Sequence, residues 1–215
     1  MRIDHLVWYT ADLASGRRRF AAEMDSEPLY GGAHPGEGTA NAVLSLGPAT
    51  YLEILGRDVH QGSQGLDPEV AALEGHGLYH WAVGGVDLEA VARRAAAAGL
   101  DAGEPVPGGR VKPDGKRLDW LCWGLRGHGF GSLVPFFIDW RGSEHPAISA
   151  PPGGRLARFE VQSPEAVRLR ALFDVLGLDI AVTAAEAPCV MAELESGNGR
   201  LTLTSFAPLP RGYVI

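Results

Sequence analysis

The sequence has only two cysteines in 215 residues, Cys122 and Cys189, and neither belongs to a CxxC pair. That excludes a zinc knuckle or a thioredoxin-type redox pair; no disulfide framework is expected, and both residues are read as reduced thiols. A run of lysine and arginine is also missing, and the formal net charge is -7. Such a chain is a poor match for a phosphate backbone or an anionic membrane, so small, neutral or metal-bridged ligands are the expected partners. No apolar stretch approaches the ~20 residues of a membrane span. The opening MRIDHLVWYT lacks the charged, apolar, small-residue order of a secretory signal, and a cytoplasmic, soluble protein is the expectation. The composition is 46% hydrophobic, which suffices for a well-buried core.

What the sequence does contain is a repeated phrase. RIDHLVWYTADL (2–13) and GLYHWAVGGVDL (77–88) each run from a histidine through an apolar stretch to Asp-Leu. Asp12 and Asp87 are good helix N-caps. Leu13, Phe20 and Met24 share one face of the first predicted helix; Leu88, Val91 and Ala95 share one face of the second, which Gly99 ends. Short apolar runs separated by glycine-rich turns follow each helix: PLYGG, TANAVLSLG and TYLEILG after the first, and PVPGGRV, RLDWLCWGL and SLVPFFIDW after the second. Each copy therefore reads βαβββ. A third copy begins at RLARFEVQ, continues through a helix opened by Ser163-Pro164-Glu165 with Pro164 at its first position, and closes with LDIAVT, CVMAELES and RLTLTSF. The predicted organisation is an α+β fold. Residues 1–142 hold two modules (1–72 and 73–142), 143–154 form a Pro/Gly-rich linker, and 155–215 form the third module.

Strand alternation then separates apolar faces from polar ones. His5 opposes Leu6 and Trp8, Glu53 opposes Leu52 and Ile54, His80 opposes Tyr79, Trp81 and Val83, and Asp139 opposes Phe136, Ile138 and Trp140. Each apolar face is expected to lie under a helix. A lone strand histidine is usually a hydrogen-bonded core or edge residue, but a carboxylate inside an apolar strand costs several kcal/mol unless it is paired. An arginine, an exposed face or a shared divalent cation would each answer that cost, and only the cation satisfies both histidines and both carboxylates together.

The paired modules, the two openings and the closing strands TYLEIL and PFFIDW resemble the vicinal oxygen chelate superfamily, which includes glyoxalase I, extradiol dioxygenases and methylmalonyl-CoA epimerase. GGAHPGEGTANAVLSLG followed by YLEIL resembles its glyoxalase-like branch. The resemblance covers residues 2 to 141. It implies a cup-shaped mixed sheet around one divalent metal (Zn, Ni, Co, Mn or Fe) held by His5, Glu53, His80 and Asp139. Two open coordination positions would take the adjacent oxygens of a small metabolite, with Glu53 as the base in isomerase, epimerase or lyase chemistry through an enediolate. Asp139 is one methylene shorter than the glutamate common at its position. If it falls short, His5, His80 and Glu53 would form a two-histidine, one-carboxylate triad suited to an Fe(II) dioxygenase.

The third module offers Leu156, Arg158 and Glu160, then Thr202 and Thr204, at the corresponding places, so no second metal centre is expected. Its strand edges need cover from the same chain or a second subunit, and a homodimer is the expected assembly. His34 and Asn41, in the glycine-rich segment, are candidate substrate contacts. Arg110 is a candidate for binding a substrate carboxylate, with a solvated loop arginine as its alternative. His145 falls close enough to Asp139 to lie near the site, or simply to end that strand. A metal enzyme, a protein of the same fold that sequesters a small molecule without catalysis, and a structural subunit all remain open.

Overall fold

The computed structural model describes residues 1–62 and 65–212, so the last three residues of the third module lie outside it. Among the described residues twelve strands fall in the expected places. The first module supplies β1 (Arg2–Thr10), α1 (Leu13–Met24), β2 (Leu29–His34), β3 (Thr39–Ser45) and β4 (Tyr51–Arg57). A short α2 (Pro68–Ala72) leads to β5 (His76–Gly84), α3 (Leu88–Ala97), β6 (Val106–Val111), β7 (Arg117–Trp123) and β8 (Phe136–Asp139). After α4 (Pro146–Ser149) come β9 (Arg155–Ser163), α5 (Ala166–Leu176), β10 (Ala181–Ala184), β11 (Cys189–Ser196) and β12 (Gly199–Thr204).

The first two modules form one eight-stranded mixed sheet in the order β2-β3-β4-β1-β5-β8-β7-β6. β1 pairs parallel to β4 and β5 parallel to β8, while β1 and β5 meet antiparallel at the centre. This order is what two copies of one module produce when they join through their first strands. The sheet curls until its edges approach, and the Arg110 side chain of β6 donates to the Gly31 carbonyl of β2 across that seam. The result is a cup.

Local chemistry explains the helices. Asp12 accepts from the Ala14 N–H at 3.0 Å and Asp87 from the Ala90 N–H at 3.0 Å, each satisfying an orphan donor of the first turn. Gly177, at φ 74°, ends α5 in the left-handed conformation that a side chain disfavours. The start of α5 differs from expectation. It opens at Ala166, and Pro164 precedes it, because the Ser163 hydroxyl accepts the Glu165 N–H in a turn ahead of the helix.

The main core lies on the convex side of the cup. Leu6, Trp8, Leu52, Ile54, Trp81 and Phe137 point outward under Phe20 and Met24 of α1 and Val91 and Ala95 of α3. The four-stranded sheet of the third module, ordered β10-β9-β11-β12, completes this core. Phe159 lies 4.8 Å and Phe173 6.3 Å from the Trp81 ring. The apolar face of the third module is thus covered within the same chain. Trp81, Phe20 and Phe173 are fully buried, each contributing on the order of 1.5–3 kcal/mol by leaving water. Among the described residues no helix is long and apolar enough to cross a membrane.

The segment 143–154 is more than a tether. Ser45 exchanges backbone hydrogen bonds with Pro151 and Gly153 at 2.8 Å each, and Ala147 of α4 packs against Val43 and Tyr51. This docking brings His145 to the rim of the cup.

Candidate active site

A register irregularity builds the floor of the cup. Against β5, Ile3 pairs with Val83 and His5 with Ala82, so Asp4 is an extra residue in β1. Neighbours in a regular strand point to opposite faces, but here the Asp4 carboxylate lies 2.9 Å from the His5 ring at Nδ1. Gly84 makes room, because a β-carbon there would run into the Asp4 carboxylate.

Asp4 is 1% exposed and is surrounded by donors. His145 Nε2 lies 3.1 Å from its Oδ2, and the Trp140 indole N–H lies 3.3 Å from both oxygens. Burial alone would raise its pKa, but the hydrogen bonds from His145 and His5, with their charge, prevail and hold the carboxyl well below the usual range. An ionised carboxylate only accepts, so His5 must donate through Nδ1, which turns Nε2 toward the cavity.

Glu53 of β4 faces it. Its Oε2 is 3.6 Å from His5 Nε2, just beyond hydrogen-bond range and close enough for one substrate atom to touch both. Its Oε1 accepts from Asn41 Nδ2 at 2.6 Å. The same amide lies 3.2 Å from His34 Nε2, and His34 Nδ1 lies 2.9 Å from Thr39 Oγ1. Two hydrogen-bonded groups therefore face each other, Asp4-His5 and Glu53-Asn41-His34, with the gap between His5 and Glu53 open to a ligand.

The walls are apolar and aromatic. Tyr51 stacks on His5 at 4.6 Å between centroids, and Phe136 meets it edge-on at 5.3 Å. Trp120, Cys122, Ile138 and Trp140 continue the lining of a cavity of about 250 Å³. Burial, with the nearby Glu53 and Asp4 charges, raises the Tyr51 phenol well above its usual pKa, so it stays neutral. Burial likewise pushes the Cys122 thiol far up, which removes its thiolate and leaves it as wall.

The structure thus brings together His5, Glu53, His34, Asn41 and Arg110 of the residues singled out in the sequence. It does not bring Asp139. Phe136 and Ile138 line the cup instead of lying under a helix, because the cup interior is itself apolar; Phe137 packs in the outer core. Asp139 is exposed, its Oδ1 accepting from the Arg141 N–H at 2.9 Å. His80 is buried on the far side of Phe136, whose ring lies 5.1 Å away, and is absent from the cavity wall. A second bulge, at Tyr79, shifts β5 so that Val7 pairs with His80 and Trp8 with Leu78. His80 Nε2 donates to the Val134 carbonyl at 3.0 Å, and Gly212 lies against its ring.

His34 and Asn41 line the cavity, as their role as candidate substrate contacts requires. They flank the glycine-rich turn, on β2 and β3, and their polar atoms brace Glu53. Asn41 Oδ1 is buried without a hydrogen-bond partner. Two contributors, Asp4 and Tyr51, are missing from the sequence reading. Asp4 sits in a bulge that alternation cannot reveal, and Tyr51 reads as an ordinary apolar strand position.

The sequence profile of the glyoxalase-like domain family matches residues 3–177. The chain belongs to that family, and so to the vicinal oxygen chelate superfamily. Among solved structures, a hypothetical protein from Staphylococcus aureus shares 16% identity at a TM-score of 0.63, over 94% of this chain and 84% of that one. A methylmalonyl-CoA epimerase in complex with methylmalonyl-CoA and NH4+ shares 22% identity at 0.47, over 67% and 98%. A hypothetical protein from Bacillus halodurans C-125 shares 18% at 0.45, over 64% and 91%. No functionally curated protein matches. The family assignment extends past β8 into the third module through α5, in keeping with the single core that joins the two sheets.

The position of His80 has a consequence for stability. Burial lowers its pKa from 6.5 to about 4, partly opposed by the Val134 hydrogen bond. The unfolded chain therefore takes up this proton near 6.5, whereas the folded chain resists it down to about 4. Its contribution is complete above pH 6.5 and is lost as the pH falls to 4, by about 3 kcal/mol. Burial lowers His128 in the same direction. Urea unfolding at pH 7.5 and 4.5 should show this loss in the native chain and a clearly smaller one in His80→Gln. An equal loss in both would contradict the assignment.

Proposed function

We propose that this chain is an enzyme of the glyoxalase-like type that moves a proton on a small carbonyl metabolite, with Glu53 as the base and His5 as its electrophilic partner. The observation that carries this reading is the Asp4-His5-Glu53 arrangement, buried at the floor of an otherwise apolar cavity. Three further findings support it: the ionised Asp4, the bracing of Glu53 by Asn41, and the family membership.

Superfamily members typically use divalent metals, and that expectation meets this chain's own residues. Among the described residues no group of three or more His, Cys, Asp or Glu side chains is placed to hold an ion. Of the four expected ligands only His5 and Glu53 converge, while His80 is spent on a carbonyl and Asp139 lies outside. The four-residue set does not fit, and the steps below use protein groups alone.

The Glu53 carboxylate takes the proton from the carbon next to a substrate carbonyl, and the electron pair of that C–H bond passes into the enolate oxygen. His5 donates from Nε2 to that oxygen with both ring nitrogens protonated, Nδ1 donating to Asp4 at the same time. Return of the proton to the other face of the same carbon completes an epimerisation; where that carbon bears a hydroxyl, passage of the hydroxyl proton to the enolate oxygen and return of the first proton to the former carbonyl carbon completes an isomerisation. The apolar wall and the burial of Asp4, His5 and Glu53 limit the solvent that would screen these charges.

The test is solvent exchange. A panel of aromatic and branched 2-oxo and 3-oxo acids and their reduced counterparts is incubated in D2O and followed by proton NMR. The native chain should remove the signal of the proton next to the carbonyl in at least one compound, and His5→Gln should slow that exchange by about 100-fold or more. Binding without exchange by any compound would overturn the enzyme reading in favour of sequestration, which the apolar wall also suits.

A further inference from the structure

We propose that Arg110 is a carboxylate anchor, so that the cup selects a hydrophobic monocarboxylic acid. This deepens the function proposed above and rests on it for the chemistry, though not for the binding. Arg110 is 3% exposed, on the inward face of β6, and lines the same cavity as His5 and Glu53. A buried guanidinium ordinarily has a carboxylate partner, because an unpaired buried charge is expensive. Among the described residues Arg110 has none; its hydrogen bond is to the Gly31 carbonyl through Nη1. That bond fastens the seam of the cup and leaves the Nε and Nη2 side of the fork, the geometry that matches a carboxylate.

The surroundings are built around this group. A β-carbon at Gly31 would collide with both the guanidinium and Asn41 Oδ1, so the glycine is what allows β2 and β6 to close over them. Asn41 Oδ1 is a buried acceptor without a partner, ready for a hydroxyl of the ligand, and Asn41 Nδ2 holds Glu53. A single amide therefore spans from the Arg110 side of the cavity to the base. A ligand whose carboxylate sits on Arg110 presents to Glu53 and His5 a carbon only two or three bonds away. Its apolar body lies against Trp120, Phe136, Ile138 and Trp140. The ligand class is an aromatic or branched acid with an oxygen on the carbon beside the carboxylate.

Calorimetric titration with mandelate and with mandelamide tests this, because the pair differs in charge but hardly in shape. The native chain should bind the acid at least about 10-fold more tightly than the amide. Arg110→Met should abolish the preference, bringing the ratio of acid to amide affinity to about 1. Gly31→Ala reaches the same guanidinium from the other strand and should also abolish the preference, which covers the case in which Arg110→Met fails to fold. Glu53→Gln should keep the preference while losing exchange, so a failure of the catalytic reading is distinguishable from a failure of this one. Equal binding of acid and amide by the native chain, binding of neither, or a preference that survives both substitutions would overturn the proposal.

Discussion

Replacing Asp4 with alanine should lower the unfolding free energy by about 3–5 kcal/mol, the range for removing one partner from a buried, hydrogen-bonded charge cluster. Three groups lose their acceptor at once: His5, His145 and the Trp140 indole. They come from β1, from the turn that leads into α4, and from the chain just after β8. The carboxylate thus ties the centre of the sheet to its rim. Asp4→Asn should cost less, because it keeps the shape and one acceptor but removes the charge. Urea denaturation at pH 7.5 is the measurement, and a change below 1 kcal/mol in Asp4→Ala would show that the cluster is not fixed in solution. The effect must also depend on pH. Asp4 has a depressed pKa, so its contribution is present above the ordinary carboxylate value of 3.8 and disappears as the pH falls below it. This window is separate from that of His80, which lies between 6.5 and 4.

The second large effect belongs to Glu53. Glu53→Gln retains the size of the side chain and can still meet Asn41, but its amide cannot accept a proton from carbon. Exchange on any substrate found in the NMR panel should fall by about 100- to 10,000-fold, the usual contribution of a positioned base. Stability should change little, because Glu53 lies at the cavity and its apolar contacts survive. Glu53→Asp should lose less, since it keeps the base and only draws it back by one methylene. Ordering Glu53→Asp above Glu53→Gln in rate separates a base from a residue that merely fills space, and the reverse order would remove Glu53 from the chemistry.

Much of the fold was legible because it is periodic. The three βαβββ copies, the caps at Asp12 and Asp87 and the stop at Gly99 are all local signals, and apart from the start of α5 these elements formed where their signals lay. The site was legible only where alternation stayed regular. In β4 it did, and Glu53 points into the cup as the pattern of Leu52 and Ile54 requires. In β1 and β5 the bulges at Asp4 and Tyr79 break the period of two. Their effect is to bring Asp4 to the His5 ring and to place His80 against the Val134 carbonyl, out of the cavity. For β8 the period was right but the assignment of faces was reversed. An apolar strand face can line a ligand cavity as well as a core, and nothing in PFFIDW distinguishes the two. Arg110 shows the opposite error: its glycine-rich neighbourhood suggests a solvated loop, yet the glycines 31 and 32 of the opposite edge strand let the seam close over it.

The central claim is that the working pair is His5 and Glu53, with His80 and Asp139 outside the chemistry. One comparison tests it most directly: deuterium exchange on a single substrate by His5→Gln, Glu53→Gln, His80→Gln and Asp139→Asn, each at pH 7.5, where all four should be folded. The account predicts losses of about 100-fold or more for the first two and changes within a few-fold for the last two. A loss in Asp139→Asn or His80→Gln as large as that in Glu53→Gln would contradict it and restore the four-residue site.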